Sequence, residues 1–270
     1  MIARSQIFNS TGERWLTRML DGYEMYDLTQ PWSQETPAWP TYDNPKVWYQ
    51  KSLDTEKVNG QKIEFMNHTG THLDGEKHFI AHGRDIADMS LNELVGDGVI
   101  ADISDQVGDY DIYTSEMIEQ AADVRKGDIL FIHTGYQDYA WHREEADPHK
   151  FFCKHPGPNA EFAEWCQEMD INYLILDCGS ADHPMNTVIR DIRPELAREA
   201  AEHFEVDDLD EVFPPEGYQL MHTELFPEGI VHVENAQVPT ELLGERVQIG
   251  TFPWRFRGGE SSVSRCVAFK

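Results

Sequence analysis

Short runs rich in β-branched and aromatic residues, several of them alternating apolar with polar positions, recur along the chain. They lie at residues 23–28, 61–68, 98–103, 127–133, 171–177, 229–234, 247–252 and 263–269. Such runs, bounded by Gly, Pro, Asn or Asp, predict strands. Helical periodicity occupies residues 11–20, a stretch ending near Ala122 behind the capping residue Thr114, residues 159–169, and residues 195–204 behind Pro194. Between the first two strands lies a proline-spaced loop, 31–45, that carries Trp32, Trp39 and Tyr42. Strands outnumber helices and the two do not alternate regularly. The pattern therefore predicts a mixed, sheet-rich α/β fold rather than a doubly wound parallel sheet. No repeat, linker or low-complexity tract divides residues 1–270, so one domain is expected.

The chemistry concentrates after the second predicted strand, in His68-Thr-Gly-Thr-His72-Leu-Asp74-Gly-Glu-Lys-His78. All four of the functional positions are even-numbered. An extended segment projects alternate side chains to one face, so His68, His72, Asp74 and His78 would converge. A helix would turn Asp74 away, and Thr69-Gly70-Thr71 is a poor helix interior. Two imidazoles and a carboxylate form a donor set for a divalent transition metal such as Zn²⁺ or Mn²⁺. Gly70 permits close backbone approach. His78, farther along, is placed to act as a general acid/base. A second group, His222 and Glu234, brackets a predicted strand in which a carboxylate among core residues calls for a partner or a cation.

Composition narrows the partners. With 22 basic and 49 acidic residues the formal net charge is −27. Such a surface repels nucleic acid and anionic membranes, and it is similar in style to proteins of salt-loving organisms. No run of apolar residues reaches the length of a membrane span, and the first residues contain no continuous apolar leader, so a cytoplasmic location is expected. The four cysteines form no CxxC pair and read as buried hydrophobes.

Both clusters resemble those of the metal-dependent cyclase family, which includes bacterial kynurenine formamidase and isatin hydrolase. The family pattern H-x-G-T-H-x-D-x-P-x-H is matched from His68 to His78 except at Glu76, which stands in place of proline. Tyr26 to Thr29, His133 to Tyr136, His155 to Gly157, Asp177 to Asp182 and Val263 to Ala268 also resemble family segments. The resemblance implies a swivelling β/β/α architecture and a homodimer or homotetramer. It implies His68, His72 and Asp74 as ligands of one metal, His222 and Glu234 as ligands of a second bridged by Asp74, and His78 as acid/base. The implied activity is hydrolysis of a carbonyl C–N or C–O bond in a cyclic amide, a lactone or an N-formyl arylamine by metal-activated water. N-formylkynurenine hydrolysis is one specific form.

Further expectations follow from the residues themselves. Trp39, Tyr42 and Phe79 are candidates for an aromatic wall against a planar small molecule, and His183, in Asp177 to Asn186, for a substrate contact. Thr71 is a candidate oxyanion donor, and Glu76 is read as a solvated charge. Two rival classes share the same donor set: a non-haem iron oxygenase built on a facial triad, and a metal-binding protein without catalysis.

Overall fold

The computed structural model describes residues 23–270, so the helix expected at 11–20 lies outside the described residues. Strand β1 is Met25–Asp27, and β2 (Lys46–Lys51) pairs with β3 (Gly60–Glu64) in an exposed antiparallel hairpin apart from the main sheet. The motif is carried instead by a three-residue strand, β4 (His72–Asp74). There follow β5 (Val95–Asp102), β6 (Ile112–Tyr113), β7 (Ile129–His133), β8 (Gly157–Pro158) and β9 (Tyr173–Leu176). The last three are β10 (Val231–Glu234), β11 (Arg246–Pro253) and β12 (Ser261–Phe269).

The main sheet runs β1-β12-β11-β5-β7-β9-β10-β4, and β4 pairs in addition with β12. That last pairing closes seven strands into a ring. A closed ring has no open edge there, and β4, despite its length, has a hydrogen-bonded neighbour on each side. β5, β7, β9 and β10 are mutually parallel, whereas β4, β11 and β12 join by antiparallel pairing. The mixed, sheet-rich α/β expectation is met.

Side-chain parity divides the sheet into two faces. One face buries Leu73, Phe131, Ile175, Val231, Val233 and Ile249 in the ring's interior. On the other, Val99, Leu130, Ile132 and Leu174 are covered by helices Ser115–Ala121, Ala160–Glu168 and Leu220–Leu225. Thr114 and Asn159 cap the first two of these helix starts, as their side-chain oxygens accept from the backbone amide three residues on. A cross-strand row on this outer face reads Val99, Leu130, Leu174, His232, Asp74, Ser261. It begins in helix-covered core and ends in the candidate site.

A third cluster, around Phe151, Met185, Leu196 and Phe213, packs the helix Pro194–His203 against the body. His183 belongs here. Its ring is fully buried and stacks on Phe213 with centroids 4.3 Å apart; Nε2 lies 2.9 Å from the Tyr110 carbonyl, and Nδ1 accepts from the Met185 amide. The substrate contact expected for His183 is therefore not seen, because both nitrogens are engaged by backbone.

Burial pushes His183 down to about 3 and His155 down to about 4. Both folded values lie below the ordinary one, so between these limits the unfolded chain binds more protons and stability rises with pH. The contribution is complete above about pH 6.5 and is lost as pH falls towards 3, on the order of 2 kcal/mol per histidine by pH 5. Thermal unfolding of chelator-treated protein between pH 7.5 and 5 is expected to show this decline. His183→Asn, which keeps a donor and an acceptor but does not titrate, should flatten the slope; an equal slope in the variant would contradict the assignment.

Candidate metal centre

The motif is folded by a turn, a short strand and a 3-10 turn, rather than by one extended run. Gly70 takes φ +73°, and a Cβ there would meet the Trp32 ring at 2.8 Å, so both conformation and space demand glycine. This turn carries His68 back towards the two even-numbered residues of β4. Gly75 donates to the Glu260 carbonyl at 2.9 Å, after which the 3-10 turn Glu76–His78 brings His78 round. The four side chains converge, but by a reversal of the chain at each end of β4. Parity alone applies only to His72 and Asp74.

His68 Nδ1 lies 2.8 Å from Asp74 Oδ1 and 3.2 Å from His72 Nε2, which is itself 3.2 Å from Asp74 Oδ1. The other carboxylate oxygen, Oδ2, faces His222 Nε2 at 3.6 Å. Glu234 joins from β10, opposite His72, with its oxygens 3.8 Å from His72 Nε2 and 3.8 Å from His222 Nε2. Asp74 thus stands between two donor groups, His68 and His72 on one side, His222 and Glu234 on the other.

Three of these imidazoles are oriented through their outward nitrogens. His72 Nδ1 sits 2.8 Å from the Gly70 carbonyl, His68 Nε2 sits 2.9 Å from Glu260 Oε2, and His222 Nδ1 sits 2.5 Å from Asp182 Oδ2. An N–H donated outward leaves the inward nitrogen as a lone-pair donor. The inward nitrogens then face carboxylate oxygens, an arrangement of electron pairs that calls for a cation. Asp74 Oδ1, fully buried, accepts no hydrogen bond despite its close neighbours. Orphaned buried oxygen, imidazole nitrogen and carboxylate together fit a divalent metal.

Electrostatics agree. Burial opposes ionisation of Asp74, but His68 and His72 outweigh it and hold the carboxyl well below its usual range. Burial, and then the Asp74 charge, raise Glu234. Burial disfavours charge on His222, yet Asp182, Asp74 and Glu234 push it up to about 10. Positive charge is wanted here.

His78 stands beside this cluster, its ring 4.2 Å from that of His68 by centroids. Its Nδ1 is 3.1 Å from the same Glu260 oxygen that holds His68. One carboxylate therefore sets the orientation of two histidines, and the bond through Nδ1 leaves His78 Nε2 as the basic nitrogen.

A cleft of about 40 Å³ lies over the cluster, lined in part by Trp39, Tyr42, Phe152, Ser180 and Gln219. Trp39 and Tyr42 thus stand where an aromatic wall was expected. Phe79 does not; it packs behind His222 and Phe226 at 4.7 and 6.1 Å between centroids. Thr71 is excluded as an oxyanion donor, since its hydroxyl donates to the Asn235 carbonyl at 2.6 Å. Glu76 is not freely solvated: Arg84 grips it through Nε at 2.8 Å and through its backbone amide at 3.0 Å. Asp177, flagged in the sequence, clamps the 133–135 turn by accepting from Thr134 and Gly135.

Three residues escaped the sequence reading. Asp182 lay in a flagged segment, but nothing in its spacing tied it to His222. Glu260 follows Gly258-Gly259 in what reads as an ordinary polar turn, 192 positions from His68. His232 is hidden inside the apolar run of β10.

The chain belongs to the cyclase family: the family model described as "Putative cyclase" matches residues 26–183. Among curated relatives, kynurenine formamidase of Bacillus cytotoxicus is 36% identical over 90 residues, 32% of this chain and 42% of that protein. The enzyme of the same name from Bacillus thuringiensis strain Al Hakam is 34% identical over 84 residues, 30% of this chain and 39% of its own. The match thus spans about two fifths of these relatives' length. Among solved structures, isatin hydrolase A from Ralstonia solanacearum superposes with TM-score 0.71 at 18% identity, covering 92% of each chain. An isatin hydrolase bound to the product analogue thioisatinate gives 0.72 at 16% identity, again covering 92% of each. Among the described residues, no helix is long and apolar enough to cross a membrane.

The Asp182–His222 pair generates a measurable expectation. Asp182→Asn leaves a hydrogen-bond acceptor but removes the charge that orients and enriches His222. Chelator competition should then show a bound divalent cation held about 10- to 100-fold less tightly. An unchanged competition curve would mean that Asp182 has no part in the centre.

Proposed function

We propose that this chain is a divalent-metal-dependent hydrolase that opens a carbonyl C–N or C–O bond in a cyclic amide, lactone or N-formyl arylamine. The observation that carries the reading is His78: a histidine held by Glu260 through one nitrogen, against the buried side chains of His68, His72 and Asp74, at the wall of a cleft. Storage or transport of a metal has no use for such a group.

In this reading His68, His72 and Asp74 hold one cation, and His222 and Glu234 hold a second across Asp74. A divalent cation so held, Zn²⁺ or Mn²⁺, supplies Lewis acidity that polarises a carbonyl oxygen and acidifies water. His78 Nε2 accepts the proton of the attacking water and returns it to the departing nitrogen or oxygen. Glu260 keeps His78 in the tautomer that permits this. A carbonyl head and a water would sit over the cluster in the open cleft, with a planar remainder lying against Trp39 and Tyr42.

Ring opening of an isatin-like amide and deformylation of an arylamine break the same kind of bond. The flagged segment 177–186 inclines the reading towards ring opening. The assembly proposed is a homodimer or homotetramer in the cytoplasm, for which exposed Trp48, Tyr49 and Trp254 offer apolar area. The acidic surface fits high salt, where charge repulsion is screened.

The deciding assay offers isatin and N-formylkynurenine to metal-loaded protein under anaerobic conditions. Turnover without O₂ is expected; activity that requires both O₂ and Fe²⁺ would replace this reading with the oxygenase class. His78→Ala should keep its metal while kcat falls on the order of 10²–10⁴-fold. Full activity in that variant would remove His78 from the chemistry. For Glu260→Gln the expected loss in turnover is about 10- to 100-fold, because a neutral amide holds His68 and His78 in place less firmly than a carboxylate does.

A further inference from the structure

His232 occupies a position that neither the motif nor the proposed ligand set includes. It faces Asp74 directly across the β10–β4 pairing, and Glu234, two residues on, faces His72. Residues two apart on a strand share a face, so β4 and β10 present a two-by-two grid: His72 and Asp74 on one strand, Glu234 and His232 on the other. Val231 and Val233 point the opposite way, into the ring's interior. His232 is thus the point at which the apolar row Val99–Leu130–Leu174 becomes polar, and valine or leucine would continue that row without penalty.

Its ring is completely buried, and neither nitrogen has a hydrogen-bond partner. This sets it apart from the neighbouring His68, His72 and His222, each anchored outward by an acceptor. The His222 ring stands 4.9 Å away by centroids, nearly perpendicular at 84°, and Phe226 lies 4.7 Å away on another side. Donor atoms of His222, His232 and Glu234 lie within 4.8 Å of one another. A single cation with bonds of about 2 Å can reach all three after small side-chain adjustments.

We infer that His232 is a further protein ligand of the cation held by His222 and Glu234, joining Asp74 as its fourth protein donor. The inference rests on the two-cation reading above. It explains a buried imidazole with two idle nitrogens, since coordination satisfies one of them. With Asp74 as bridge it brings the second site to four protein donors, against three at the first.

The test is metal content per subunit, by elemental mass spectrometry, together with chelator competition, on wild type, Glu234→Ala and His232→Val. Two equivalents are expected in the wild type and one in Glu234→Ala. His232→Val should either hold one equivalent or release its second at least tenfold more readily. Two equivalents in His232→Val with an unchanged competition curve would overturn the inference and leave the two-cation reading standing. One equivalent in wild type, unaffected by Glu234→Ala, would overturn both. Should His232→Val not fold, Co²⁺-loaded wild-type protein gives the answer by proton NMR. Exchangeable, paramagnetically shifted imidazole signals from four coordinated histidines are expected; three would exclude His232.

Discussion

Asp74 is buried at the place where β4 closes the ring of strands, and a buried carboxylate is tolerable only with compensation. That requirement organises its surroundings. β4 is too short to hold itself, so β10 and β12 hold it, and each brings groups to the carboxylate. From β10 come Glu234 and His232; Glu260 immediately precedes β12, and Ser261 begins it. The turn at Gly70 and the 3-10 turn after Gly75 fold His68 and His78 back over the same point. Fold closure and site assembly are one event in this molecule.

The charges make sense only as a set. Asp74, Glu234, Glu260 and Asp182 all stand within reach of His68, His72, His78 or His222. Two of the carboxylates point inward, towards where a cation would lie, and two point at the backs of histidines. The inward pair creates the demand for positive charge, while the outer pair fixes which nitrogen of each ring answers it. Such division of labour keeps a small cleft both electron-rich and rigid.

The sequence carried the motif, the two candidate donor groups and most of the central strands, because these depend on local alternation and on residue types with few other uses. Strands at 98–103, 127–133, 247–252 and 263–269 were legible from apolar periodicity. The path through the motif was not. Reading residues 68–78 as one extended run reached the right convergence for the wrong reason, since parity governs only the three residues of β4. Glu260 and Asp182 were invisible for a different cause: their partners are distant along the chain, and nothing local distinguishes a carboxylate that orients a histidine from one that is solvated. His183 and Phe79 show the reverse error. Their residue types advertised a binding role, and burial gave them a packing one.

Glu260 also ties the centre to the timing of synthesis. The residue that contacts both His68 and His78 is made 192 positions after His68, just ahead of β12, and that strand supplies β4 with its second neighbour. A nascent chain can carry the entire His68–His78 motif and still lack the closure that shapes it. Its histidines are then free to sample either tautomer, without a basic nitrogen aimed at anything. The motif by itself is thus a chelating peptide, and it acquires its aimed geometry only when the segment from Glu260 into β12 docks.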